Sequence, residues 1–415
     1  MERLNNLEIN RGYLEFIKGL GDIHPLHRVS PVKSLFGIIY RFCQLLAIPL
    51  IYILGASLIL FLKIKLLFNK KGVISKVRVE AIKHINDFIL QYPMHLYPIV
   101  AKCLEIGFIK ANLSRMKANI NGQIVEFAIG DGSLSRKIFS QKDNIIALDL
   151  NPYSLEHVKD CPHVVGRVVA DCLNPPVVQS GAAGIVCINL LHHITDKEGT
   201  LENWAEIAPY AIFNENTAFW ASGWTKPSLF KRLGLSKLAE RASAQIENIS
   251  LQSLRTAEEL DSLVENCYNI IQKESFFSEK TFFYCSLFSA LLFSYGPPTP
   301  KYQKLIMNGI LWPLTKVLTY QLAKSLIEFD AIQDREKDTY IIWFAKSKLT
   351  NSQLVKSKLS FICPDCHDVL KDNRCVKCGK SFAVINDMLF LLPQQFAGEI
   401  SNYQGFSGIL NKEHL

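Results

Sequence analysis

The clearest pattern in the sequence is a short apolar run that ends in a polar residue, repeated four times in the central part of the chain. The runs are QIVEF, NIIALD, RVVAD and GIVCIN, and they carry Glu126, Asp149, Asp171 and Asn189. The intervals between these polar residues are 22, 21 and 17 residues, about the length of one helix with its turns. This alternation predicts a doubly wound parallel α/β sheet. The carboxyl ends of such strands meet at one edge, so we expect the four polar side chains to gather around a ligand.

Three further apolar runs complete a predicted seven-stranded sheet. They are TAFWAS at 217–222, YNIIQKESFF at 268–277 and TYIIWFAKS at 339–347. A helical pattern precedes the sheet over 77–118. The spacing of the runs leaves the order of the strands open.

The N-terminal part contains 21 consecutive residues without a charge, at 42–62. Because roughly 20 residues cross a hydrocarbon core as a helix, we predict a transmembrane or membrane-associated helix over 35–68. Pro49 and Gly55 also allow a hairpin that enters one leaflet, and a buried core helix is the third alternative. More basic residues follow this run closely than precede it. By the positive-inside rule, this asymmetry predicts that the remaining chain lies in the cytoplasm.

A second apolar region, at 279–338, separates the last two predicted strands. Residues 281–300 carry no charge. We interpret this region as a helical cap that shields a hydrophobic acceptor or lies against a bilayer. A helical pair packed onto the protein is the alternative.

These patterns divide the chain into successive units. They are an N-terminal segment at 1–34, the apolar helix at 35–68, a helical region at 69–118, an α/β domain at 119–348 that includes the insertion, a cysteine-containing unit at 359–395 and a tail at 396–415. The overall charge adds little, since 46 basic residues face 38 acidic ones. The net charge of +8 permits nucleic-acid binding without requiring it.

The first of the four strands leads into EFAIGDGSLS, at 126–135, which has small residues at alternate positions. Ala128, Gly130 and Gly132 leave the backbone open to a ligand. A dinucleotide is disfavoured, because Asp131 would lie close to its pyrophosphate. The acidic surroundings favour a ligand that carries an amine and a positive sulfur, such as S-adenosylmethionine (SAM).

The stretch from 119 to about 200 resembles the cofactor half of the class I SAM-dependent methyltransferases. The family has an acidic residue followed by three alternating glycines, which correspond here to Glu126, Ala128, Gly130 and Gly132. Alanine therefore replaces the first glycine. The resemblance implies a seven-stranded Rossmann-like methyltransferase sheet and SAM as cofactor.

The same resemblance implies roles for the polar ends of the next three strands. Asp149 corresponds to the residue that binds the ribose hydroxyls, and Asp171 to the one that recognises the adenine amino group. Asn189 lies where the fourth strand meets the methionine moiety and the acceptor.

Methyl transfer requires alignment of a nucleophile and, for some acceptors, removal of its proton. His192 and His193 follow the fourth strand and are candidates for this general base, with packing of the loop as the alternative. Trp220 and Trp224 are candidates for the acceptor pocket, or for the core. The NPPV sequence at 174–177 is discounted as a catalytic motif because it precedes the fourth strand and lacks an aromatic residue.

Two cysteine pairs, CPDC and CVKC, predict a zinc site near the C-terminus. Four thiolates leave no open coordination position, so the zinc is expected to be structural. The segment 361–393 resembles the small zinc-ribbon activators of tRNA and translation-factor methyltransferases, and it departs from them at 386–388, where that family has Asp-Gly-Ile. The four predicted ligands are Cys363, Cys366, Cys375 and Cys378.

The function predicted from these features is SAM-dependent methylation of a hydrophobic, lipid-linked or envelope-related acceptor. The predicted location is the cytoplasmic side of a membrane, with the lipid bilayer and a lipidic or small-molecule acceptor as partners. The alternative is an RNA or translation-apparatus methyltransferase that uses the zinc ribbon to bind its partner. Nucleic acid therefore stays open as a partner.

Overall fold

A computed structural model describes most of the chain from the apolar N-terminal helix to the cysteine-containing unit. The described residues are 35–69, 75–92, 96–119, 122–191, 194, 196–217, 255–278, 280–285, 309, 311–333, 338–350 and 359–393. His192, His193, Trp220 and Trp224 lie outside these ranges.

Helices precede the sheet, alternate with its strands and flank its last hairpin. The helices are α1 (Leu35–Phe68), α2 (Lys76–Lys83), α3 (Ile85–Ile89), α4 (Leu96–Asn119), α5 (Ser135–Ile138), α6 (Pro152–His157), α7 (Lys197–Ile207), α8 (Ala257–Cys267) and α9 (Trp312–Ala331). The strands are β1 (Ile124–Phe127), β2 (Ile145–Asp149), β3 (Val164–Ala170), β4 (Gly184–Cys187), β5 (Tyr210–Asn216), β6 (Tyr268–Ser278), β7 (Asp338–Ser347), β8 (Leu370–Lys371), β9 (Arg374–Cys375), β10 (Val384–Ile385) and β11 (Met388–Leu391).

The predicted doubly wound α/β sheet is confirmed, and its strand order is β10-β11-β3-β2-β1-β4-β5-β7-β6. Strands β1 to β5 are parallel to one another, whereas β7 is antiparallel to both β5 and β6. The sheet is therefore mixed. The chain leaves β1 towards β3 on one side and towards β4 on the other, so the topological switch point lies between β1 and β4.

The sheet has nine strands and not seven, because a hairpin from the C-terminal unit extends it. Strand β11 pairs in parallel with β3, with Met388 opposite Arg167 and Leu391 opposite Ala170. Without this hairpin, β3 would be an edge strand of the sheet. Covering it gives its backbone groups hydrogen-bond partners.

The fifth strand begins earlier in the chain than predicted. TAFWAS at 217–222 was expected to form it, but β5 is Tyr210–Asn216. Residues 218–222 of the predicted run lie outside the described part. All of β5 is buried, including its polar end at Asn214, Glu215 and Asn216. A polar strand end of this kind does not follow the apolar pattern of the other strands, and the partners of these residues, described below, explain their burial.

The helical region predicted over 77–118 forms α2, α3 and α4, which pack on one face of the sheet together with α9. A buried ion pair connects these units: Arg78 on α2 contacts Asp330 on α9 at 3.0 Å and Glu274 on β6 at 3.1 Å. The insertion is therefore anchored to the N-terminal helices. Helices α7 and α8 and the C-terminal unit cover the opposite face of the sheet.

The predicted apolar helix at 35–68 coincides with α1. Gly55 packs closely against Leu318 of α9, where a Cβ atom would lie 3.0 Å from a leucine methyl group. The hydroxyl groups of Tyr52 and Thr315 are hydrogen-bonded across the same contact. Among the residues that the structure describes, none of the helices is both long and apolar enough to span a membrane.

Candidate functional site

The loop between β1 and α5 lies at the switch point of the sheet, where α/β proteins place their ligands. Ala128, Gly130 and Gly132 all have positive φ angles, of 51°, 58° and 66°. These values explain the two glycines, because an L-amino acid in this region is strained by its Cβ atom, as Ala128 is. At Gly132 a Cβ atom would also lie 2.3 Å from Val158 Cγ1.

Asp149, at the end of β2, contacts this loop directly. Its Oδ2 accepts a hydrogen bond from the Gly130 backbone N–H at 3.2 Å, and its Oδ1 accepts one from Asn151 N–H at 2.8 Å. Burial raises the pKa of the carboxyl group to about 6, against the effect of these donors. The structure thus brings together the glycine loop and the predicted ribose-binding acid.

Asp171 directly follows β3 and is also buried. Its Oδ1 accepts a hydrogen bond from the Leu173 N–H at 2.9 Å, and burial raises its pKa. The neighbouring Cys172 carbonyl accepts a hydrogen bond from the indole of Trp204 at 2.7 Å. The residues after β3 are therefore held rigidly beside the crevice.

Glu126 makes its described hydrogen bonds within the protein. Ser135 Oγ donates to Glu126 Oε2 at 2.6 Å and also lies 3.0 Å from His163 Nε2. Burial raises the pKa of Glu126 to about 8 and lowers that of His163. These contacts connect β1 to the start of α5, so Glu126 supports the glycine loop. Direct contact with a cofactor stays a prediction.

Asn189, two residues after β4, is an exposed residue that joins a polar cluster missed by the sequence analysis, whose other members are buried. Its backbone N–H donates to Asn214 Oδ1 at 2.6 Å, and Asn214 Nδ2 donates back to its Oδ1 at 3.2 Å. Its Nδ2 donates to Glu105 Oε1 at 3.2 Å, and the Tyr340 hydroxyl donates to the same carboxylate oxygen. The "polar cluster" denotes Glu105, Asn189, Asn214 and Tyr340 below.

A buried ion pair fixes the loop that follows β4. Lys197 Nζ lies 3.0 Å from Glu215 Oε2 and donates hydrogen bonds to the carbonyls of Leu191 and Ile194. Burial raises the pKa of Glu215 to about 7 and lowers that of Lys197. The two predicted histidine bases belong to this loop but lie outside the described residues, so their role stays a prediction.

The four predicted zinc ligands form one cluster. Their Sγ atoms all lie within 4.8 Å of one another, with 3.3 Å between Cys366 and Cys375 and 3.8 Å between Cys363 and Cys378. A hydrogen bond from the Cys378 backbone N–H lowers the pKa of Cys375 to about 6, which favours a thiolate. This donor set and spacing suit tetrahedral zinc and leave no position for a substrate.

The cysteine-containing unit is docked on the sheet by main-chain contacts as well as by β11. The Val178 N–H donates to Ser360 O at 3.0 Å, and the Ile362 N–H donates to Pro176 O at 3.0 Å. The NPPV segment thus serves as a docking segment for this unit. The turn at Asn386 and Asp387 forms with both φ angles positive, so the departure from Asp-Gly-Ile preserves the hairpin.

No known protein family and no curated protein matches the sequence. The structure resembles a SAM-dependent methyltransferase from Thermotoga maritima, with 12% identity, 66% of this chain and 100% of that chain covered, and a TM-score of 0.36. It resembles the N-methyltransferase NodS from Bradyrhizobium japonicum in complex with S-adenosyl-L-homocysteine. The identity is 10%, the match covers 58% of this chain and 85% of that chain, and the TM-score is 0.30. It also resembles a complex of a methyltransferase with the Trm112 methyltransferase activator from Haloferax volcanii. The identity is 10%, the match covers 66% of this chain and 99% of that chain, and the TM-score is 0.33. These values assign no activity to this chain, so its function is argued from its own residues.

Proposed function

We propose that this chain is a SAM-dependent methyltransferase that acts on a hydrophobic, lipid-linked or envelope-related acceptor at the cytoplasmic face of a membrane. The observation that carries the proposal is the contact between Asp149 Oδ2 and the backbone of Gly130. It combines a half-buried carboxylate, which accepts hydrogen bonds, with a backbone cleared of side chains. Both lie at the switch point of the sheet.

The residues present fit SAM better than a dinucleotide. The carboxyl groups of Asp131, Asp149 and Asp171 follow the ends of β1, β2 and β3, where they would repel a pyrophosphate and attract a cation. Asp149 would hold the ribose and Asp171 the adenine amino group. Bound SAM supplies a methyl group on a positive sulfur, and the protein's task is to align the acceptor with it.

A hydrophobic acceptor is supported by the exposed side chains of α1 and α9. On α1, Leu67 and Phe68 are 80% and 84% exposed, and on the adjacent α9 Leu314 and Val317 are 53% and 59% exposed. Lys63 and Lys65 are exposed on α1 and add positive charge close to Leu67 and Phe68. An apolar helix face with lysines at its border suits the interface of an anionic bilayer.

The cofactor proposal is tested by calorimetric titration of S-adenosylhomocysteine (SAH) into the purified chain. Asp149→Ala should abolish binding and leave the thermal unfolding transition cooperative, because the carboxylate lies at the surface of the crevice and not in a packed core. The matched control is Asp160→Ala, which removes an exposed aspartate. Unchanged affinity in Asp149→Ala would place the pocket elsewhere.

A second candidate function, methylation of RNA or of the translation apparatus, is favoured by the surface of the zinc unit. Lys371, Arg374 and Lys377 are exposed there. If this candidate applies, the triple variant Lys371→Glu/Arg374→Glu/Lys377→Glu should lose RNA binding. The affinity of the wild type for RNA should fall steeply as the salt concentration rises. RNA binding that is equal in the two proteins would remove this candidate.

A further inference from the structure

The carboxylate of Glu105 is the most unusual buried group near the proposed cofactor crevice. The residue is 1% exposed and lies on α4, between apolar neighbours. Its Oε1 accepts hydrogen bonds from Asn189 and Tyr340. Its Oε2 is buried, and no hydrogen-bond partner for it is found among the described residues.

The position of Glu105 follows from the path of α4 over the sheet. One turn earlier, Lys102 Nζ donates to Ser133 Oγ of the glycine loop at 3.2 Å. Glu105 itself contacts Asn189, just beyond the end of β4. The helix therefore crosses from the β1 loop to the β4 loop, and Glu105 lies over the switch point between them.

A carboxylate in this environment is costly unless its oxygen atoms are satisfied. The polar cluster satisfies only Oε1 and orients the group through two donors from different strands or loops. Glutamine could accept the same two hydrogen bonds at one oxygen without burying a charge, but it would replace Oε2 with an amide nitrogen that donates. The unsatisfied oxygen thus points to a ligand group that donates a hydrogen bond.

We propose that Glu105 Oε2 is the acceptor-binding base of this site, and that it takes acceptors whose nucleophile is a hydroxyl or an amine. This inference rests on the proposed methyltransferase function. The acceptor's lone pair forms the new bond to the methyl carbon as the carbon–sulfur bond breaks, and that electron pair stays on sulfur as a neutral thioether. The acceptor's O–H or N–H proton passes to Glu105 Oε2.

The chemistry of the surrounding groups suits this role. Burial raises the pKa of Glu105, which moves it towards the range in which a carboxylate is an effective base near neutral pH. The hydrogen bonds from Tyr340 and Asn189 act in the opposite direction and lower the pKa. Lys102, one turn away, also favours the ionised form.

The test compares two probes, SAH and sinefungin, in which a protonated amine replaces the methyl-bearing sulfonium. The amine lies on the acceptor side of the molecule, so a carboxylate there should favour it. We expect wild type to bind sinefungin about tenfold or more tightly than SAH, as a charge-assisted hydrogen bond provides. In Glu105→Gln this preference should fall at least about fivefold, while SAH affinity stays within about twofold of wild type.

The matched control is Glu274→Gln, which makes the same chemical change in the Arg78 ion pair outside the site. It should keep the preference of wild type. If Glu105→Gln does not fold, Glu105→Asp, which withdraws the carboxylate by one methylene group, should show a reduced preference. A sinefungin preference unchanged in the folded variants would overturn the role of Glu105 and leave the methyltransferase proposal intact. Failure of the wild type to bind either probe would overturn both.

Discussion

Glu126 shows how burial of one residue sets a pH dependence for the whole domain. Its pKa rises from an ordinary 4.5 to about 8 because of desolvation. Between these two pH values, the folded chain therefore keeps a proton on Glu126 that the unfolded chain has lost. The stability that this proton gives the folded chain at low pH is therefore lost as the pH rises from about 4.5 to 8.

Glu126→Gln should remove this pH dependence. Relative to wild type, the variant should gain stability as the pH rises from about 5 to 8, by up to about 1.4 kcal/mol per pH unit. The measurement is the free energy of unfolding in denaturant at several pH values. Glu258→Gln, at an exposed position on α8, is the control. A difference between Glu126→Gln and wild type that does not change with pH would show that the carboxyl group titrates normally.

At the residue scale, the sequence predicted the groups that lie at strand ends and missed those that converge from elsewhere. Asp149 and Asp171 could be found because each ends an apolar run. Glu105 is a single acid in the apolar helix sequence CLEIGF, and its partner Tyr340 is more than two hundred positions away in the chain. Their proximity depends on the strand order, which spacing does not reveal.

At the scale of elements, the Lys197–Glu215 pair connects the start of α7 to β5 and fixes the loop between β4 and α7. Lys197→Met should leave the Glu215 carboxylate buried without its counter-charge. Breaking a buried pair in this way costs about 3–5 kcal/mol. Unfolding by urea would measure this loss.

The double variant Lys197→Met/Glu215→Leu provides the control. Because it removes both charges, it should recover much of the stability that the single variant loses. A single variant within about 1 kcal/mol of wild type would mean that the pair is accessible to water and does not hold the loop.

The element boundaries show where hydrophobic patterning fails. β6 and β7 were predicted closely, because their runs alternate and lie next to clear breaks. β5 was missed because Asn214 and Glu215 are buried as partners of the polar cluster and of Lys197. The pairing of β11 with β3 joins a strand inside the α/β domain to a segment that follows the domain in the sequence, so no local pattern predicts it.

At the scale of the whole molecule, the zinc unit and the cofactor crevice share one sheet. Strand β11 pairs with β3 up to Ala170, and Asp171 is the next residue. We therefore expect Cys363→Ser and Cys375→Ser to release zinc and also to weaken SAH binding by about tenfold, as the end of β3 loses its neighbour.

Metal analysis and calorimetric titration of SAH would measure both effects. Cys267→Ser, outside the cluster and partly exposed, should change neither quantity. Zinc loss with unchanged SAH affinity would show that the unit and the crevice are independent. A wild-type chain that contains no zinc would remove the metal from this account.

The most direct test of the central claim is methyl transfer from labelled SAM by the purified chain into a cell extract that includes membranes. The extract is then separated into organic-soluble lipid, glycan, RNA, protein and small-molecule fractions, with Asp149→Ala as background. Our account predicts label above this background in the lipid or glycan fraction. Label confined to RNA or protein would contradict the hydrophobic acceptor, and no label above background in any fraction would contradict methyl transfer itself.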